Sequence, residues 1–221
     1  MFIIIPYMEK FKLQRKELIN VLREQGIKDQ AVLAAIASIP RHLFVSKGYL
    51  DEAYANYPLP IGANQTISQP YTVAFMLQAL ELKKGDKVLE IGTGSGWNAA
   101  LIAEIIKPGK LFTTEIVPEL ISLSKRNIAK FPRLKNVRVI KTDGSQGYKA
   151  KAPYGKIVVT AAAPRIAKPW IAQLKENGII VAPIGALFDQ VMIKAKKVRG
   201  KLKQENLGYF RFVPLKGKYG Y

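Results

Sequence analysis

The sequence has no cysteine and a single histidine, His42. The first absence excludes disulfides, thiolate metal sites and cysteine nucleophiles, and it fits an intracellular, cytoplasmic location. The second excludes a histidine-rich metal centre, so no metal is expected. Acidic residues are scarce: 16 Asp plus Glu face 35 Lys plus Arg, a net charge of +19. That imbalance favours anionic partners by long-range steering, or simply marks a solvated basic surface. No apolar run approaches the roughly 20 residues needed to span a bilayer, so no membrane partner is expected. Met1–Ile5 is apolar but lacks a basic leader and is too short for a signal-peptide core. Met8 is an alternative initiator, and Phe2–Ile5 is a candidate packing arm for a homo-oligomer.

What is present is the composition of a globular chain: 48% apolar residues and a mean hydropathy near zero over 221 positions. It has no internal repeat and no flexible linker. The organising stretch is Val88–Leu89–Glu90–Ile91–Gly92–Thr93–Gly94–Ser95–Gly96–Trp97, a buried-strand pattern running into three alternating glycines and a helix-competent segment. Glycines there permit a sharp turn and close approach of a ligand to main-chain N–H groups. Trp97 occupies the place where a dinucleotide fingerprint needs its third glycine, which favours S-adenosylmethionine over NAD. Glu115 lies about twenty residues further on, at the end of the next predicted strand, placed to accept from ribose hydroxyls.

Upstream, Leu13, Leu18, Val21 and Leu22 predict a helix over 10–25, stopped by Gly26. Asp29 caps a second predicted helix, 30–38. A tyrosine-rich, irregular stretch follows, then a polar loop over 61–69. Pro70 opens a helix that buries Val73, Met76, Leu77 and Leu80. Ser68 or Gln69 falls at the cap of that helix. A plain N-cap is the simpler reading of Ser68; a hydroxyl placed to hold a carboxylate is the functional one.

Strands are predicted at 87–91, 110–115, 137–141, 156–160 and 179–184, with helices at 97–107, 118–131 and 166–176. Strands 190–196 and 206–213 flank the Arg199–Gly200 turn. The fold class is therefore α/β: a Rossmann-like, doubly wound, mostly parallel sheet with a C-terminal antiparallel hairpin and an N-terminal helical cap. One domain is expected, with 1–82 as cap and substrate loop and 83–221 as cofactor-binding core. Glu90, Glu115 and Asp143 are expected on one rim at the carboxyl ends of the strands, with Asp143 and its neighbouring main chain at the adenine edge.

On several segments the chain resembles the protein-L-isoaspartate O-methyltransferases. The most specific is Pro60–Ile61–Gly62–Ala63–Asn64–Gln65–Thr66–Ile67–Ser68–Gln69–Pro70. Others are Ile39–Val45, the Val88–Gly96 loop, Asp143–Gly144, Ala152–Tyr154, Val159–Ala162 and Arg211–Phe212–Val213–Pro214–Leu215. The resemblance implies methyl transfer from S-adenosylmethionine, leaving S-adenosylhomocysteine, to the free α-carboxylate of isoaspartyl residues in damaged proteins and peptides. The ester then collapses to a succinimide that reopens to aspartate. It makes Ser68 the catalytic serine, with Thr66 and Ile67 beside it and Val213, Pro214 and Leu215 flanking the substrate peptide. Gln65, Thr66, Glu90, Gly92, Gly94 and Gly96 would meet the cofactor, Glu115 its ribose, and Asp143 with Gly144 its adenine. Gly155 departs from the family, which usually has aspartate there.

Such a carboxylate, with a pKa of roughly 3.5, is already the nucleophile at neutral pH, which agrees with a site lacking a histidine–carboxylate pair. The alternative is a class I methyltransferase acting on RNA or another anionic substrate. Cysteine-dependent pyrimidine methylation is excluded. The Asn/Asp-Pro-Pro-aromatic run of N6-adenine enzymes is replaced by Thr160–Ala161–Ala162–Ala163–Pro164, and no specific nucleic acid is expected. A dehydrogenase is disfavoured by Trp97, and a basic scaffold with a vestigial cofactor fold remains as a non-enzymatic reading.

Overall fold

The computed structural model describes residues 4–221, with side chains from Glu9 onward. The proposed packing arm Phe2–Ile5 lies outside the described side chains. Helix α1 (Ile4–Glu24) leads into α2 (Gln30–Ser38), which Asp29 caps by accepting from Ala31 N at 2.8 Å and Val32 N at 3.1 Å. The buried face of α1 is Phe11, Leu18 and Leu22, whereas Leu13 is 58% exposed and Val21 37%. Phe11 sets that rotation. It stacks on His42 with centroids 4.1 Å apart, which carries Leu13 and Val21 round to solvent.

The expected polar loop is a hairpin. Strands β1 (Leu59–Gly62) and β2 (Gln65–Ile67) pair antiparallel across Ala63 and Asn64, both at positive φ. Asparagine tolerates that conformation and alanine gives no hint of it, so the turn left little trace in the sequence. Helix α3 (Pro70–Leu80) starts with Pro70 in its first turn and buries the four predicted residues.

Then follow β3 (Lys87–Ile91), α4 (Trp97–Ile106), β4 (Lys110–Glu115), α5 (Pro118–Ala129), β5 (Val137–Lys141) and β6 (Tyr154–Val159). Helix α6 (Lys168–Gln173) is shorter than predicted. It gives way to β7 (Leu174–Gly185), because Leu174 pairs with Tyr154 and is buried beside it. The hairpin β8 (Gln190–Val198) and β9 (Lys201–Phe210) turns at Arg199–Gly200 as expected, but β9 starts and ends earlier than 206–213. Val213 is instead drawn away, its carbonyl accepting from Ala162 N at 2.8 Å.

The seven-stranded sheet has the order β5-β4-β3-β6-β7-β8-β9, parallel through β7 and antiparallel beyond it. Alternate strand residues enter two cores. Val88, Leu111 and Val158 pack under α1 to α5, while Leu89, Ile157 and Val159 pack with Trp170 of α6 on the other face. The winding order reverses between the parallel neighbours β3 and β6, and a ligand crevice belongs at the carboxyl ends of strands at such a switch point.

Candidate active site

The glycine turn sits at that switch point. Gly92, Gly94 and Gly96 all have positive φ, which explains their spacing. Gly92 also needs to lack a side chain, since a Cβ there would come within 2.5 Å of Thr160 Oγ1. Thr160, just beyond β6, donates through Oγ1 to the Gly92 carbonyl at 2.5 Å, and its N–H to Ile91 O at 3.0 Å. The two strands at the switch point are thus tied where the cleft opens. Sequence reasoning did not assign Thr160, although it stands in the Val159–Ala162 segment.

Glu115 is 6% exposed and lines the cleft. Its Oε2 accepts from Gly94 N at 2.9 Å, and its Oε1 from Ile116 N at 2.9 Å and Val117 N at 3.0 Å. The same cleft is lined by Gln65, Thr66, Ile67 and Ser68, by Gly92 and Gly94, by Gly144, and by Val213, Pro214 and Leu215. Segments more than a hundred residues apart therefore meet in one cleft. The tail segment is held by pairing: Leu215 N donates to Ala162 O at 2.8 Å.

Three expected residues do not open onto the cleft. Gly96 lies under it, packed on Ile128 and Ser124. Glu90 is fully buried inside β3 and not on the rim, because strand alternation turns it toward α4, where Asn98 Nδ2 donates to Oε1 at 2.7 Å. Burial pushes its carboxyl up to about 7, against the hydrogen bonds from Thr113 and Asn98. Asp143 faces the C-terminal tail, accepting from Lys218 N at 2.9 Å, Ser145 N at 2.9 Å and Gln146 Nε2 at 3.1 Å. Burial alone would raise its carboxyl, but these bonds hold it below the ordinary range.

Ser68 is not the helix cap; Gln69 is. Ser68 is half-buried, and its carbonyl accepts from Arg41 Nη1 at 2.9 Å. Arg41 is fully buried and also donates from Nε to Ala53 O at 2.9 Å and from Nη2 to Tyr57 O at 3.3 Å. Its guanidinium lies 4.8 Å from the Trp97 ring centroid, and burial lowers its pKa to about 9. Trp97 in turn donates from Nε1 to Ile39 O at 3.3 Å. Arg41 therefore fastens the serine segment to the start of α4. The motif around Pro40 contained it, but nothing local revealed where its five donors would point.

The model of the family described as protein-L-isoaspartate(D-aspartate) O-methyltransferase matches residues 13–220. The chain belongs to this family. A protein-L-isoaspartate O-methyltransferase of Dictyoglomus turgidum is 49% identical over 212 residues, covering 96% of this chain and 95% of that protein. The Pyrococcus horikoshii relative of that name is 46% identical over 93% of this chain and 94% of its own. Among solved structures, one protein-L-isoaspartate O-methyltransferase superposes with a TM-score of 0.85 at 30% identity, covering 93% of this chain and 67% of that one. A putative member from Plasmodium falciparum, in complex with S-adenosyl-L-homocysteine, gives 0.82 at 25% identity, covering 91% and 98%.

The residues of this isoaspartate methyltransferase family member fit an S-adenosyl cofactor. Glu90 Oε2 and Asn98 Oδ1 are buried behind the glycine loop without hydrogen-bond partners, acceptors that suit an ammonium group. Asn98 itself lines the cleft. No group of three His, Asp or Glu residues is placed to hold a metal among the described residues, and no described helix is long and apolar enough to cross a membrane. At the family's usual aspartate, Gly155 lies within β6. A Cβ there would meet only Lys87 O at 3.7 Å and Asp86 Oδ1 at 3.9 Å, so nothing steric demands glycine.

Proposed function

We propose that the chain methylates the free α-carboxylate of L-isoaspartyl residues in damaged proteins and peptides, the activity for which its relatives are named. The observation that carries this reading is the single cleft shared by the glycine loop, Glu115, Ser68 and Val213–Leu215. When bound, S-adenosylmethionine supplies an activated methyl group on a sulfonium. Glu115 accepts from the ribose hydroxyls, and Ile116 beside it, 40% exposed, offers apolar surface to the base. Asp143 fixes the loop whose Gly144 meets the adenine. Gly92, Gly94 and Gly96 keep the loop close to the ligand, Asn98 on the cleft wall accepts from the ammonium with Glu90 holding its amide from behind, and Gln65 and Thr66 complete that side.

Thr66 and Ile67 line the substrate side, and Val213, Pro214 and Leu215 flank the peptide. Ser68 donates its hydroxyl to the carboxylate and fixes the attacking oxygen. With the cosubstrate bound, the oxygen fixed by Ser68 would take the methyl group and leave a neutral thioether behind. No proton moves, so no general base is needed. Positioning of this kind lowers a barrier by roughly 7–11 kcal/mol at best. The following main-chain nitrogen then displaces methanol from the ester, giving a succinimide that water opens.

The reading includes a single domain with its cofactor core in 83–221, a cytoplasmic location, association through the N-terminal arm, and no specific nucleic-acid partner. Methyl transfer to matched peptides differing only in aspartate versus isoaspartate tests it. Selective labelling of the isoaspartyl peptide is expected. Equal labelling of both, or of neither, would overturn it.

A further inference from the structure

A second groove opens onto the same serine. Thr66, Ser68, Thr160, Val213 and Pro214 line both it and the cofactor cleft, so the two are continuous at the reacting centre. Its floor is aromatic. Tyr71 and Phe75 of α3 lie with ring centroids 5.8 Å apart, and Phe75 meets Phe210 of β9 at 5.2 Å. Beyond this floor, Leu187 and Phe188 from the β7–β8 connection and Tyr209 from β9 also line the groove.

These three residues are 44%, 83% and 78% exposed, respectively, and rank among the few large hydrophobic side chains left in water among the described residues. Large apolar groups gathered at one cleft mouth mark a binding surface, whereas scattered ones need no explanation. The Arg211 guanidinium lies 6.0 Å from the Phe188 centroid and steadies that ring. Arg211 is the groove's one charged lining residue, so no carboxylate there repels a substrate chain.

We propose that Leu187, Phe188 and Tyr209 form an apolar rim that takes a hydrophobic side chain of the substrate polypeptide, a few residues to one side of the isoaspartyl residue. The proposal rests on the methyltransferase reading above and specifies its substrate: an extended segment with an apolar neighbour. Apolar side chains are mostly buried in folded proteins and accessible in unfolded ones. The rim therefore directs the enzyme to isoaspartyl sites in segments that have lost their native packing.

The test uses isoaspartyl peptides with leucine or phenylalanine at successive positions on either side, against the same peptides with serine there. The full chain is compared with a Phe188→Ser/Tyr209→Ser double variant and, as a control off the groove, Leu13→Ser. For the wild type, an apolar neighbour at one or more positions should raise kcat/KM about tenfold, mainly through KM. The double variant should bring that ratio close to one, and Leu13→Ser should keep it. Both substituted side chains are exposed, and a melting curve checks that the variant is folded. Equal rates for apolar and serine peptides in the wild type, or an undiminished preference in the double variant, would overturn the rim. Fluorescence anisotropy of the labelled peptides with protein saturated in S-adenosylhomocysteine reads the same ratio without turnover. If no isoaspartyl peptide is methylated, the activity reading fails, and the anisotropy ratio still decides the rim.

Discussion

Glu115 Oε2 holds the main-chain N–H of Gly94 at 2.9 Å, joining the end of β4 to the middle of the glycine loop. One carboxylate thus shapes the loop and turn with three of its roughly four acceptor sites and keeps the last for the cleft. The two tasks can be separated, because Oε1 independently anchors the turn at Ile116 and Val117.

Glu115→Ala should weaken S-adenosylhomocysteine binding by about 1–3 kcal/mol, the scale for hydrogen bonds to a charged acceptor. Glu115→Gln keeps an acceptor for the loop but not the charge, and should fall between the two. Titration calorimetry measures both. Unchanged affinity in the alanine variant would remove Glu115 from the ribose role.

Ser68→Ala separates mechanism from stability. Since the N-cap position of α3 belongs to Gln69 and not to Ser68, removing the Ser68 hydroxyl should not carry the roughly 1 kcal/mol penalty of a lost cap. Turnover on an isoaspartyl peptide should drop about 10²-fold or more, with cofactor affinity nearly intact. Single-turnover methylation and a melting curve on one preparation give both readings. A folded variant with wild-type rates would sink the assignment.

Arg41 should matter to stability out of proportion to its size. Arg41→Met leaves the carbonyls of Ala53, Tyr57 and Ser68 without their donor, and a loss of about 3 kcal/mol or more is expected. Arg41→Lys keeps the charge without the planar fork and should lose less. Urea denaturation ranks the three proteins. A methionine variant as stable as wild type would show that water or rearrangement satisfies those carbonyls.

Glu90 sets a pH dependence of definite sign. Its carboxyl titrates near 7 in the fold and near 4.5 when unfolded, so the folded state binds more protons in between. Its contribution to stability therefore falls as pH rises from about 4.5 to 7 and levels off above, by about 3 kcal/mol as an upper figure. His42 works the other way: burial, then Arg15 and Lys130, lower it to about 4, so its contribution is lost as pH falls from about 6.5. The two overlap, and only a difference measurement isolates Glu90. Glu90→Gln should gain on the wild type across that window, while a pH-independent difference in unfolding free energy would contradict the titration.

The sequence by itself determined the elements whose causes are local. Strands 87–91, 110–115 and 137–141, the Asp29 cap and the Arg199–Gly200 turn follow from periodicity, side-chain capping and glycine's freedom at positive φ. The same is true of the glycine loop and of Glu115 at its strand end. Tertiary structure decided what depends on distant partners. Phe11 turned Leu13 and Val21 outward because it found His42, thirty-one positions away. The strand pattern places Glu90 but cannot tell that Asn98 seals it from the rim, or that Lys218 claims Asp143. The hairpin at 59–67 turns through an alanine, and Val213 leaves β9 because Ala162 offers a donor. Each of these outcomes rests on a contact whose partner lies far along the chain or gives no local signal, so local pattern could not supply it.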